Sequence, residues 1–194
     1  GMLSAGYNTL MISDCWASTS RSSSEGPDGE PIQYLPADKD LFPRGMKFVM
    51  DYIHSKGLKG GLYTSIGKTT CVGGRPALGW NCKSANNSDP RVVSSALLPC
   101  ASVDAQTYAI WGVDWMKIDN CANHQDVQAV YPLFATVQNK TNHQILINLC
   151  EWGVSKPWTG WGGTAGDSYR VTGDHCDSWT QPRITTTVPV ATKQ

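Results

Sequence analysis

Four acidic residues stand where short β-type runs give way to loops. Asp14 follows YNTLMI (7–12), Asp119 follows VDWMKI (113–118), Glu151 follows the apolar run 145–149, and Asp174 follows the run 169–172. Carboxylates gathered on one rim suit acid/base work or glycosyl transfer, where one ionised and one protonated carboxyl act on the same bond. A single Asp after a strand is more often the N-cap of the next helix. Four acidic groups, with Trp16 and Trp152 beside two of them, exceed what capping asks for. Rival chemistries lack their residues. No G-x-S-x-G is present and Cys150 has no His near it. His54, His124, His143 and His175 fall at helix ends and in loops without ligand spacing, and read as surface or capping groups. No metal and no cofactor is expected.

The elements that must hold these carboxylates alternate. After the first run comes a Ser/Gly/Pro-rich loop (17–36). Pro43-Arg44-Gly45 then opens a helix with Met46, Val49, Met50 and Ile53 at helical spacing, stopped by Gly57. LKGGLY (58–63) reads as a strand, 103–111 as a helix ended by Gly112, and 113–118 as the next strand. Val127, Val130, Phe134 and Val137 mark a further helix whose start Pro132 obscures. Strands follow at 145–149 and 169–172. Such alternation with short returns implies a parallel sheet, whose strand ends share one face where sites are built. No G-x-G-x-x-G or G-x-x-x-x-G-K follows the first strand, so a (β/α)8 barrel is expected over a doubly wound sheet. Five strands in 194 residues fall short of a closed barrel, which takes about 250. An open arc of this kind would expose two edges and an apolar inner face.

Composition narrows the partners. Hydrophobic residues make up 40% of the chain and charged residues 16%, with sixteen basic against sixteen acidic. A neutral chain without a basic run offers no footprint for nucleic acid or an anionic membrane, and no apolar stretch approaches the ~20 residues of a membrane span. Seven cysteines without a C-x-x-C pair, together with the sequons at Asn86 and Asn139, point to an oxidising route. Gly1–Ala5 leads straight into the first strand-like run, so no signal peptide is read.

Five blocks carry a family likeness: GYNTLMISDCW (6–16), LFPRGMKFVMDYIHSKGLKGGLY (41–63), DAQTYAIWGVDWMKIDNC (104–121), CEWG (150–153) and YRVTGDHCDSW (169–179). In this order they resemble the α-galactosidase/α-N-acetylgalactosaminidase family of retaining glycoside hydrolases. The resemblance implies a (β/α)8 barrel, present here as about strands 2 to 6. It covers 1–180, with an insertion near 81–100 and an unstructured tail at 181–194. It makes Asp119 the nucleophile and Asp174 the acid/base. Substrate contacts would come from Asp14, Trp16, Tyr63, Lys117, Cys121, Arg170, and Glu151 with Trp152 at the sugar's 2-position. It pairs Cys71 with Cys121 and leaves Cys15 free, while Cys82 and Cys100 bracket the insertion and could close it. The implied partner is an α-galactoside, and the full-length form would be secreted, lysosomal or vacuolar.

The chemistry agrees with those roles: Lys117 would favour an ionised Asp119, whereas Arg170 would oppose protonation of Asp174, so burial or the charge of Asp119 must counter it. Ser13 stands where the family usually has a second Asp. The insertion, the abrupt start and the tail read as a partial or mis-spliced product. The expected activity is hydrolysis of terminal α-D-galactosyl residues with retention, galactose being preferred over N-acetylgalactosamine. The alternatives are a catalytically impaired sugar-binding remnant and a different α/β hydrolase.

Overall fold

A computed structural model of the chain describes residues 1–25, 31–79, 100–123, 126–174 and 187–189. Its main sheet contains β1 (Thr9–Ile12), β4 (Lys59–Ser65), β5 (Trp115–Asp119), β6 (Leu146–Cys150), β7 (Ser168–Arg170) and β8 (Thr187–Pro189), in that spatial order. The first five are parallel, and β8 runs antiparallel against β7. Three helices serve the crossovers: α1 (Gly45–Ser55), α2 (Ala101–Trp111) and α3 (Val127–Gln138), with the short α4 (Gly162–Ala165) before β7. This is the strand–helix repeat of a (β/α)8 barrel, open as an arc.

The register sorts side chains by face. Leu62, Met116 and Ile147 form one row, and Ile118 and Leu149 the next. These side chains are at most 5% exposed and pack with Met46, Met50 and Ile53 of α1, Ala105 and Tyr108 of α2, and Val130 and Phe134 of α3. The apolar positions of α1 fall three and four residues apart, so one stripe meets the sheet. In α3, Asp126 caps the start by accepting the Gln128 N–H at 2.9 Å, and Pro132 is carried inside the helix.

The opposite, inner face is layered. Met11, Gly61, Trp115 and Leu146 form its lowest row; Tyr63, Lys117, Asn148 and Ser168 the next; Ser65, Asp119 and Cys150 the top. The inner face expected to be apolar is therefore apolar only at its base. Alternation along each strand places the polar residues towards the C-terminal ends, where they line the rim.

Two stretches read as irregular contain strands. In the loop region 17–36, β2 (Ser22–Glu25) and β3 (Pro31–Tyr34) pair antiparallel. SSSE has no alternation of polar and apolar residues, so periodicity gave no signal there. Within the tail expected to be unstructured, Thr187–Pro189 adds to the open edge of β7. A strand edge with free N–H and C=O groups accepts a short β-branched segment readily. The rest of 181–194 and the insertion at 80–99 lie outside the described residues.

The rim has one recurrent backbone feature. Cys15, Ala122 and Trp152 adopt left-handed conformations (φ 70°, 52° and 58°) just beyond the ends of β1, β5 and β6.

Candidate active site

Asp119 ends β5 and is 5% exposed. The Asn120 N–H donates to its Oδ1 at 2.9 Å, and the Tyr63 hydroxyl donates to Oδ2 at 3.3 Å. Lys117, two residues earlier on the same face, brings Nζ to 3.6 Å from Oδ2 and lies 5.4 Å from the centre of the Tyr63 ring. Burial, and after it the charge of Asp119, push the Tyr63 phenol far up, so it serves as a donor at any physiological pH. The result is one hydrogen bond to each carboxylate oxygen with a cation alongside.

The strand end is fixed from a second side. Cys71 and Cys121 form the expected disulfide, with Cα atoms 5.0 Å apart. Their sulfurs and a carboxylate oxygen of Asp119 all lie within 4.8 Å of one another. This trio is a cluster of metal-ligand types, but two sulfurs bonded together provide no thiolate. Closing a 50-residue separation stabilises the fold by about 4 kcal/mol in the chain-entropy treatment. Residues 66–76 run from β4 against the turn after β5: Ile66 N–H donates to Asp119 O at 2.9 Å and Lys68 N–H to Ala122 O at 3.2 Å. Ser65 Oγ lies within 3.1 Å of Asp119 O and 2.9 Å of Cys121 O. Gly67 permits this approach, because a Cβ there would overlap the Cys121 carbonyl.

Asp14 joins the group through the same loop. Its Oδ1 accepts the Cys15 N–H at 2.7 Å and its Oδ2 the Val72 N–H at 3.1 Å. Trp16, expected on the wall of the site, is only 2% exposed. Its Nε1 donates to the Tyr63 carbonyl at 2.7 Å, and its ring meets Trp111 and Tyr108 edge-on. Trp16 thus reaches the site through the backbone of Tyr63. Ser13 is exposed and Cys15 carries a free thiol.

On the next strand, Cys150 is fully buried opposite Asp119 in the register. Burial, followed by Asp119, raises its thiol to about 11. Glu151 is likewise buried; Oε2 accepts the Ser155 N–H at 2.6 Å, and Oε1 has no partner among the described residues. Burial raises its pKa above the ordinary carboxylate value. Trp152 follows, half-buried and left-handed. Arg170 ends β7 and donates from Nη1 to Cys150 Sγ at 3.4 Å and to Asp174 Oδ1 at 2.6 Å. Its Nε and Nη2 are buried without partners among the described residues. Burial disfavours the guanidinium charge, and the hydrogen bonds to Asp174 and Cys150 together with their charges outweigh it. The Asp174 side chain is 77% exposed, so the burial expected around it is absent.

Asp14, Tyr63, Lys117, Asp119, Cys71 and Cys121 are thus brought into one connected group, and Cys150, Arg170 and Asp174 into a second. Sequence reasoning missed the amides of Cys71 and Val72 and the hydroxyl of Ser65. A backbone N–H leaves no compositional mark, so no signal existed for the amides. Of the histidines, His54 pairs with Asp114 at 2.7 Å and His143 with the Val113 carbonyl at 2.8 Å, away from these groups. His124, His175 and Cys82 lie outside the described residues. Cys100 is disulfide-bonded.

Comparison with known proteins adds the family. The sequence model described as Alpha galactosidase A matches residues 1–88 and 94–184. A probable alpha-galactosidase of Dictyostelium discoideum is 37% identical over 180 residues, covering 92% of this chain and 39% of that protein. The alpha-galactosidase of Coffea arabica is 34% identical over 180 residues, covering 92% and 40%. Among solved structures, alpha-galactosidase I of Mortierella vinacea superposes with a TM-score of 0.72 at 32% identity, over 94% of this chain and 41% of that one. The Saccharomyces cerevisiae α-galactosidase determined with raffinose gives 0.73 at 29% identity, over 94% and 35%. The chain thus spans about two fifths of the length of these relatives, and it supplies part of the same barrel. With its buried Asp119 between lysine, tyrosine and disulfide, and with a match running through nearly its whole length, the chain belongs to the α-galactosidase family.

Proposed function

We propose that the chain carries the nucleophile-bearing part of a retaining exo-glycosidase that hydrolyses terminal α-D-galactosyl residues from oligosaccharides, galactomannans or glycolipids. The observation that carries this reading is the Asp119 carboxylate, buried at a strand end with Lys117 Nζ at 3.6 Å and Tyr63 Oη at 3.3 Å, in a chain of this family. In the first step Asp119 attacks the anomeric carbon, the bond to the leaving oxygen breaks, and Asp174 gives that oxygen a proton. In the second, Asp174 takes a proton from water, which attacks the same carbon and releases Asp119. Tyr63 and Lys117 hold the carboxylate in place. Arg170 Nε and Nη2 and Glu151 Oε1, unpartnered among the described residues, are buried donors and an acceptor that sugar hydroxyls would satisfy. Trp152 and Glu151 add bulk at the 2-position, which supports galactose over N-acetylgalactosamine. The Cys71–Cys121 bridge supports a secreted, lysosomal or vacuolar setting, and no helix among the described residues is long and apolar enough to cross a membrane.

A second reading, a sugar-binding remnant with impaired catalysis, is favoured by the exposure of Asp174 and its pairing with Arg170. Hydrolysis of p-nitrophenyl α-galactoside separates the two. Turnover that Asp119→Asn abolishes supports the enzyme; galactose binding without turnover supports the remnant. Comparable turnover of the galactoside and the N-acetylgalactosaminide would sink the preference, and release of β-galactose as first product would sink retention.

A further inference from the structure

Residues 66–76 meet the site through the disulfide and through two backbone amides that point at it. The Val72 N–H donates to Asp14 Oδ2 at 3.1 Å, and the Cys71 N–H reaches Tyr63 Oη at 3.4 Å. Tyr63 in turn donates to Asp119. A hydroxyl that accepts from one side while donating on the other has its proton direction set, so the Cys71 amide helps aim the phenol at the carboxylate. Val72 is 69% exposed, so its side chain is not what holds it there. The loop is tied at its base by Ile66 and Lys68, narrowed by the Thr69–Pro76 bridge, and closed by the Thr70–Arg75 and Gly73–Thr70 hydrogen bonds. Its tip is anchored to the β5 turn by the disulfide.

We propose that the loop is a positioning clasp for this site: the backbone amides of Cys71 and Val72, held in place by the Cys71–Cys121 bridge, orient Tyr63 and Asp14 for the sugar. Both residues are positioning residues that act through others. The clasp rests on the galactoside reading above. It links the ends of three strands, because Asp14 lies beyond β1, Tyr63 is on β4 and Asp119 ends β5. A hydrogen bond to a charged group is among the stronger ones, so loss of the Val72 donor frees Asp14 and is expected to weaken sugar binding about tenfold.

The test compares four proteins in galactose titrations by tryptophan fluorescence and in p-nitrophenyl α-galactoside kinetics: the parent, Val72→Pro, Val72→Ala, and the double variant Cys71→Ala/Cys121→Ala. Val72→Pro deletes the donor and keeps the bridge. Val72→Ala keeps both. The double variant removes the anchor and leaves the disulfide of Cys100 intact, which a reducing agent would not. Expected are binding about tenfold weaker for Val72→Pro and for the double variant, and binding within about twofold of the parent for Val72→Ala. Equal binding in all four overturns the clasp alone. Neither binding nor turnover in the parent overturns the galactoside reading, and the clasp with it. Should a variant fail to fold, amide exchange in the parent decides: Cys71 and Val72 must exchange more slowly than Gly74, and exchange at unprotected rates overturns the clasp.

Discussion

Replacing Asp104 with alanine would remove the most heavily buried ion pair among the described residues. Asp104 sits on α2 with no exposed side chain, and Arg21, ahead of β2, is 2% exposed. Both carboxylate oxygens take guanidinium hydrogen bonds at 2.6 Å, and Oδ2 also accepts the Gly79 N–H at 2.6 Å. Burial opposes the charge of Arg21, and the charge and hydrogen bonds of Asp104 outweigh that opposition. Asp104→Ala leaves the guanidinium facing the Gln33 and Ala77 carbonyls at 3.3 Å and takes the acceptor from Gly79. Breaking a buried pair from one side costs about 3–5 kcal/mol, a large share of the 5–15 kcal/mol that holds a typical domain. Arg21→Met/Asp104→Leu removes both charges and should recover most of the loss. Urea unfolding followed by circular dichroism gives the midpoints, and a double-mutant cycle gives the coupling. A loss below about 1 kcal/mol for Asp104→Ala, or a double variant no more stable than the sum of the singles, would refute the reasoning.

Three further outcomes follow from the site. Glu151 binds its proton more tightly folded than unfolded, so the unfolded chain ionises first and stability falls as pH rises from about 4.5 through the raised folded value; Glu151→Gln should lose this dependence, which urea midpoints at pH 4 and pH 7 would reveal, and a parallel shift with the parent would contradict it. Gly67→Ala should destabilise by about 1–3 kcal/mol through its clash with the Cys121 carbonyl, and an unchanged midpoint would mean that the loop yields freely. Iodoacetamide with peptide mass mapping should label Cys15 in the native chain long before Cys150, which is buried and raised to about 11; early labelling of Cys150 would show that the end of β6 opens readily.

Much of this was legible in the residues because it depends on patterns that periodicity exposes. The 3.6-residue spacing of Met46, Met50 and Ile53 identified α1, and the ends of four of the five parallel strands were marked by an acidic residue, β4 being the exception. The disulfide came only through family likeness, since seven cysteines allow many pairings. What stayed hidden depends on tertiary partners. SSSE carries no amphipathic signal, so β2 escaped notice. Thr187–Pro189 is a strand only because β7 offers it an edge. Lys117 and Asn148 cannot be told from solvent-facing residues until the register places them in one inward row. Trp16 was assigned to the sugar through the family likeness, and its burial against Tyr108 and Trp111 follows from where α2 packs.

The left-handed residues beyond three strands bear on any attempt to regraft this rim. Cys15, Ala122 and Trp152 each turn the chain out of its strand with a handedness that side chains resist, at about 1–3 kcal/mol apiece. A transplanted loop of matching length but ordinary dihedrals would leave the strand in another direction and swing the neighbouring carboxylate with it. Graft boundaries belong after these turns rather than before them. Glycine is the substitution that such a splice tolerates at Ala122, where no side chain beyond Cβ would be lost.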